Sequence, residues 1–160
     1  MALKTTRFIS LYLTALLAGL LFCHLLELPN KMKLPAATWL TVQQTLYNMF
    51  GPVSSVIEPL AIVSTLVVLL IVRRRQPAFI LTLIGLICLM AHLVSWLLVV
   101  NPVNLEVNAW TQAGIPGQWT HVRNRWEYGH AAGSALVLAA LAALLAAAMA
   151  DSDASSRARR

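Results

Sequence analysis

Four stretches of this chain are long and apolar enough to cross a bilayer, and nothing else in the sequence constrains the fold as strongly. Phe8–Leu28, Val53–Val72, Ala78–Val100 and His130–Ala150 each reach the length of about 20 residues that a helix rising 1.5 Å per residue needs to span hydrocarbon. Backbone groups have no water to bond in lipid, so unbroken runs of this length are read as helices. The expected fold is therefore all-α: a bundle of four transmembrane helices in a single membrane-embedded domain, residues 1–150. The polar tail, residues 151–160, is expected to be disordered.

Composition supports this reading. Only 11% of residues are charged and 59% are hydrophobic, against roughly 25% charged in soluble domains. The net charge of +6 does not point to nucleic acid, because the basic residues stand in short clusters beside the apolar runs. There they act as topology signals and contacts for anionic lipid. Lys4 and Arg7 precede the first run as in a signal peptide, yet no small-x-small cleavage site follows and Leu21-Phe22-Cys23 is a poor lipobox. The run is kept as an uncleaved span. Cys23 and Cys88 both fall within spans and read as small packing residues.

Orientation follows from the Lys and Arg count. Lys4, Arg7, Arg73, Arg74, Arg75, Arg157, Arg159 and Arg160 fall on one side, and Lys31, Lys33, Arg123 and Arg125 on the other. The positive-inside rule then puts both termini in the cytoplasm, as expected for a multi-pass protein of the bacterial inner-membrane type. The inner link near Arg73–Gln76 only turns the chain. In the first outer link Trp39, Val42, Leu46, Met49 and Phe50 recur at helical spacing, which predicts a short amphipathic helix at the interface between spans 1 and 2. The second outer link, from Asn101 to about Gln118, carries the turn signals Asn101-Pro102 and Gly114-Ile115-Pro116-Gly117. Trp110, Trp119 and Trp126 suit an interfacial aromatic belt.

Six ionisable side chains nevertheless interrupt these spans: His24, Glu27, Glu58, His92, Glu127 and His130. Such groups are costly in lipid and are kept mainly where they pair, bind or react. Threaded through the bilayer, all six fall in its outer half. His24 and Glu27 share a helix face, as do Glu127 and His130. Imidazole and carboxylate are common ligands for transition metals, and Glu127-Tyr128-Gly129-His130 has the Glu-x-x-His spacing of di-metal helical bundles. His24-Leu25-Leu26-Glu27 is its reverse. The six are therefore candidate ligands for iron, copper or manganese. A bland reading stands beside this one, with Glu127 paired to Arg123, Glu27 to Lys31 and the histidines as helix glue. Haem held by His92 and a facing His24 or His130 is an alternative, disfavoured by three nearby carboxylates. Gly129-His130-Ala131-Ala132-Gly133 is a small-xxx-small face suited to close helix packing or a homodimer.

The segment His24-Leu25-Leu26-Glu27-Leu28-Pro29-Asn30-Lys31 is followed by Asn101-Pro102-Val103-Asn104 with Asn108 and Trp110, then by Trp119 and Arg123-x-Arg125-Trp126-Glu127. Together these resemble the anthrone oxygenase-like family of small four-helix integral membrane proteins. The resemblance implies oxidation of polycyclic aromatic anthrones to anthraquinones, without a recognised cofactor. Asn104, Asn108, Arg123 and Trp126 match its outer-loop and fourth-helix pattern by position. The Glu/His layer goes beyond that general pattern.

The function expected is thus a membrane oxidoreductase, an oxygenase acting on a lipophilic aromatic substrate. Asn104, Asn108 and Arg123 would orient a polar edge of the substrate, and Trp126, Tyr47 and Trp39 would line the apolar part. Where no metal takes part, His24 or Glu127 would act as a base on an acidic C–H or phenol. A non-enzymatic metal-handling or assembly protein is the alternative from a different class. The lack of inverted-repeat symmetry weighs against a transporter.

Overall fold

The structure is a computed structural model, and it describes residues 2–47 and 49–157, with side chains through 152. All regular structure among them is helical: α1 (Ala2–Lys31), α2 (Ala36–Leu46), α3 (Phe50–Val72), α4 (Ala78–Ser95), a π-helical turn (Trp96–Val100), α5 (Asn101–Asn108) and α6 (Trp119–Arg157). Four helical stretches are long and apolar enough to cross a membrane: Ala2–Lys31, Phe50–Val72, Ala78–Asn108 and Trp119–Ser152. They close a ring in which α1 packs on α3, α3 on α4, α4 on α6 and α6 back on α1. Their outward faces remain apolar, with Phe8, Leu70, Ile80, Leu98 and Met149 exposed, as a lipid-facing surface requires.

The helices run past the expected span ends. The link expected from Asn101 to about Gln118 shrinks to residues 109–118, because the chain stays helical through Asn101-Pro102. Proline lacks an N–H and its ring crowds the carbonyl four residues back. Here the turn before it widens, and the Asn101 N–H donates to the Trp96 carbonyl five residues earlier. This π-turn lets the helix absorb the proline, a local irregularity common at functional sites. At the other end α6 begins at Trp119 rather than His130 and continues to Arg157. Residues 151–157, expected to be disordered, extend this helix, and residues 158–160 lie outside the described set.

Three apolar clusters stack along the bundle. Val68, Val72 and Ala78 close one end; Leu17, Leu21, Ala61, Leu89, Val137 and Ala140 fill the middle. At the far end Trp39 and Leu40 from α2 pack with Val100, Val103, Val107, Val122 and Trp126. The helix α2 therefore sits over the bundle mouth, and its inward face is Trp39, Leu40 and Gln43. Leu46 and Met49, expected on the apolar face, are exposed. Two glycines of the small-residue stripe are used inside the bundle. A Cβ on Gly133 would come within 2.8 Å of the His92 ring, and one on Gly129 within 2.9 Å of Val100. These close approaches set α6 against α4 and the π-turn.

Candidate functional site

Between the middle cluster and the α2 cap lies a partly open cavity of about 190 Å³. Each helix of the ring contributes a polar side chain to its wall: His24 from α1, Glu58 from α3, His92 from α4 and His130 from α6. The cap adds Gln43, and α5 adds Asn104 and Asn108. Aromatic rings of Tyr47, Phe50, Trp96 and Trp126 fill the space between these polar groups, and Leu17, Leu20 and Leu21 form an apolar strip along α1.

Glu58 Oε1 and His92 Nδ1 meet in the cavity wall at 2.6 Å, with both residues buried. With Glu58 as a carboxylate the bond runs from Nδ1–H to Oε1, which leaves Nε2 as the open nitrogen of the ring. The ring of His92 lies against Gly133, where a Cβ would crowd it at 2.8 Å. His130 is fixed in the same sense: its Nδ1 lies 2.9 Å from the Trp126 carbonyl, which can only accept, so Nε2 is again the free acceptor. His24 stands next to His130, with ring centroids 4.2 Å apart, and meets Trp126 edge-on at 5.1 Å. The Trp126 indole is itself held by a 2.7 Å bond from Nε1 to Asn104 Oδ1.

Beside the cavity a second group of charges is organised around Lys31, which is only 4% exposed. Its ammonium lies 3.2 Å from Glu127 and 3.5 Å from Glu27, and 3.3 Å from the Tyr47 hydroxyl. It also lies over the Trp126 ring at 4.6 Å and 3.5 Å from His24 Nδ1. Tyr47 donates in turn to Glu27, and Trp39 Nε1 donates to Glu127 Oε1 at 2.9 Å. An isolated buried ion is very costly, so the burial of Lys31 and Glu127 depends on this pairing.

The expected site residues thus divide into sets. His24, Glu58, His92, His130, Tyr47, Asn104, Asn108 and Trp126 line the cavity. Glu27, Glu127 and Trp39 belong to the Lys31 cluster. Arg123 is in neither: it donates to the Met32 carbonyl at 2.9 Å and covers the Trp119 ring, tying the chain after α1 to α6. Sequence reasoning missed Lys31, Gln43 and Trp96. Lys31 lies four residues after Glu27 and seven after His24, hence on the same helical face; its pairing with Glu27 is legible in the sequence, but its contacts with Glu127, Tyr47 and Trp126 are not.

The six Glu and His side chains do not form one ligand shell. Among the described residues no group of three or more His, Cys, Asp or Glu is arranged to hold a metal ion. The physical reasons are visible. Glu58 is engaged by His92 Nδ1, Glu127 by Trp39 and Lys31, and a buried ammonium next to His24 opposes a second cation. A haem fits no better, since the His24 and His130 rings are already in contact and the cavity is small beside a pocket for a large cofactor. The fold and site together define a four-span membrane bundle enclosing a Glu/His cavity under an aromatic cap. No family model, no curated protein and no solved structure matches this chain.

Proposed function

We propose that the protein is an intramembrane oxidoreductase that deprotonates a lipophilic aromatic substrate and directs it to oxygen. The observation that carries this reading is the buried Glu58–His92 pair opening on an aromatic-lined cavity. The carboxylate holds one imidazole nitrogen protonated and stabilises the imidazolium formed when Nε2 takes a proton, the usual construction of a general base. Aromatic walls suit a flat ring, while Asn104, Asn108 and Gln43 offer hydrogen bonds to its polar edge. His24 and His130 flank the ring.

For an activated methylene, the chemistry balances without a metal. His92 takes the C–H proton, the carbanion and oxygen form a peroxide anion, and the imidazolium returns the proton to give the hydroperoxide. Loss of water leaves the ketone, so one oxygen molecule converts a methylene into a carbonyl and water. An anthrone, the substrate class implied by the family resemblance, has such a methylene. In this scheme Glu127 holds Lys31 in place rather than acting as the base. The charge pattern supports placing both termini in the cytoplasm and the cavity toward the outer face.

Oxygen uptake by the purified full chain, with anthrone as the probe, tests the proposal. Wild type should consume oxygen above the spontaneous rate, and the rate should survive chelator treatment. Uptake equal to the spontaneous rate, or loss of all activity on chelation with recovery on adding one metal, would overturn it.

A further inference from the structure

We infer that Gln43 is the residue that reads the ligand, and that the cavity takes the ring of a lipid-soluble benzoquinone in both its quinone and hydroquinone forms. The inference rests on the reading above that the cavity holds a lipophilic aromatic ring, and narrows its class. Gln43 borders the cavity and is 7% exposed. Both its amide oxygen and its amide nitrogen are sealed from water without a hydrogen-bond partner. Its neighbour Gln44 is the contrast, with Nε2 bonded to the carbonyls of Val107 at 3.1 Å and Trp110 at 3.0 Å. Gln44 anchors α2 to the α5 end, and Gln43 is left unpaired at the cavity. A buried amide without partners weakens the fold unless something supplies them.

The chemistry of the amide narrows what that partner is. A carboxylate only accepts and an ammonium only donates, whereas a glutamine does both. A quinone oxygen accepts from Nε2–H, and after gain of two electrons and two protons the hydroquinone O–H donates to Oε1. One side chain therefore serves both redox states of one ligand. The rings of Tyr47, Phe50, Trp96 and Trp126 supply flat apolar walls. His130 Nε2, free because Nδ1 is tied to the Trp126 carbonyl, offers an acceptor for a second hydroxyl. Leu17, Leu20 and Leu21 give an alkyl tail an apolar path along α1, which a tail-less polar aromatic would not need.

The test measures binding and needs no turnover. The full chain is titrated with a decyl-substituted benzoquinone, its hydroquinone and decylbenzene, and affinity is read from the ligand-induced rise in thermal midpoint. Both oxygenated rings should bind with similar affinity, and decylbenzene about tenfold more weakly or worse. Gln43→Leu should weaken both oxygenated ligands about tenfold and leave decylbenzene unchanged, which also shows the variant folded. Gln43→Glu, when ionised, should keep the hydroquinone and lose the quinone. Equal binding of all three probes, no binding of the oxygenated pair, or unchanged affinity in Gln43→Leu would overturn the inference. None of these outcomes touches oxygen uptake with anthrone, so the two proposals fail separately.

Discussion

The two ends of this bundle both bury charge, but they do so in different ways. At the end made by the start of α1, the α3–α4 turn and the last part of α6, Asp151 receives Arg7 at 3.1 Å and Arg75 at 3.3 Å. One carboxylate ties three chain segments together, and Arg75 is half-exposed. At the other end Glu58 and His92 pair deep in the wall of a cavity, Lys31 is held between two carboxylates, and Gln43 has no partner. The Asp151 pairs join three segments, and there too a buried nitrogen, Arg7 Nη2, lacks a hydrogen-bond partner. What sets Gln43 apart is that it lines the cavity and has neither amide atom paired.

The comparison sharpens through substitutions at each end. The largest stability loss is expected for Lys31→Met, about 3–5 kcal/mol, because Glu127 is then left as an uncompensated buried charge. Adding Glu127→Gln should restore most of it, as measured by denaturant unfolding in detergent. No recovery in the double variant would show that Lys31 acts by packing alone. A smaller effect separates two glycines that are equally tight. Gly133→Ala crowds the His92 ring and Gly85→Ala crowds Leu144, each at 2.8 Å, and overpacking should cost each about 1–3 kcal/mol. Turnover per folded molecule should fall for Gly133→Ala alone; a matching fall in both would detach activity from the position of His92. The smallest effect is expected at the opposite end. Asp151→Asn should cost about 1 kcal/mol, since its pairs are partly open to solvent, and leave oxygen uptake as it was.

Much of this arrangement was legible in the chain, for reasons specific to each part. Four apolar runs of span length leave little choice but a helical bundle, and the common depth of His24, Glu58, His92 and His130 anticipated that they would meet. Depth alone could not separate the carboxylates. Glu27 and Glu127 sit at nearly the level of Glu58, but their faces turn toward Lys31, a residue that hydropathy assigns to the membrane surface. The helix ends were misplaced where local signals lost to packing. Asn101-Pro102 reads as a turn, yet the π-turn before it keeps the helix intact. Asp151 reads as the start of a polar tail, yet its two arginine partners come from segments more than seventy residues away in sequence. Gln43 falls between the apolar positions Trp39, Val42 and Leu46 of the helix pattern, and nothing local shows that α2 turns it down over a cavity.

The account stands on the claim that the Glu58–His92 pair performs chemistry while the Asp151 cluster only holds the fold. The most direct measurement is oxygen uptake per folded molecule in His92→Gln, Glu58→Gln and Asp151→Asn prepared side by side, with thermal midpoints recorded for each. Loss of a general base lowers turnover by about 10²–10⁴-fold, so both cavity variants should fall at least a hundredfold with midpoints near wild type, and Asp151→Asn should keep its rate. Full uptake in the His92 and Glu58 variants, with only their midpoints lowered, would contradict it.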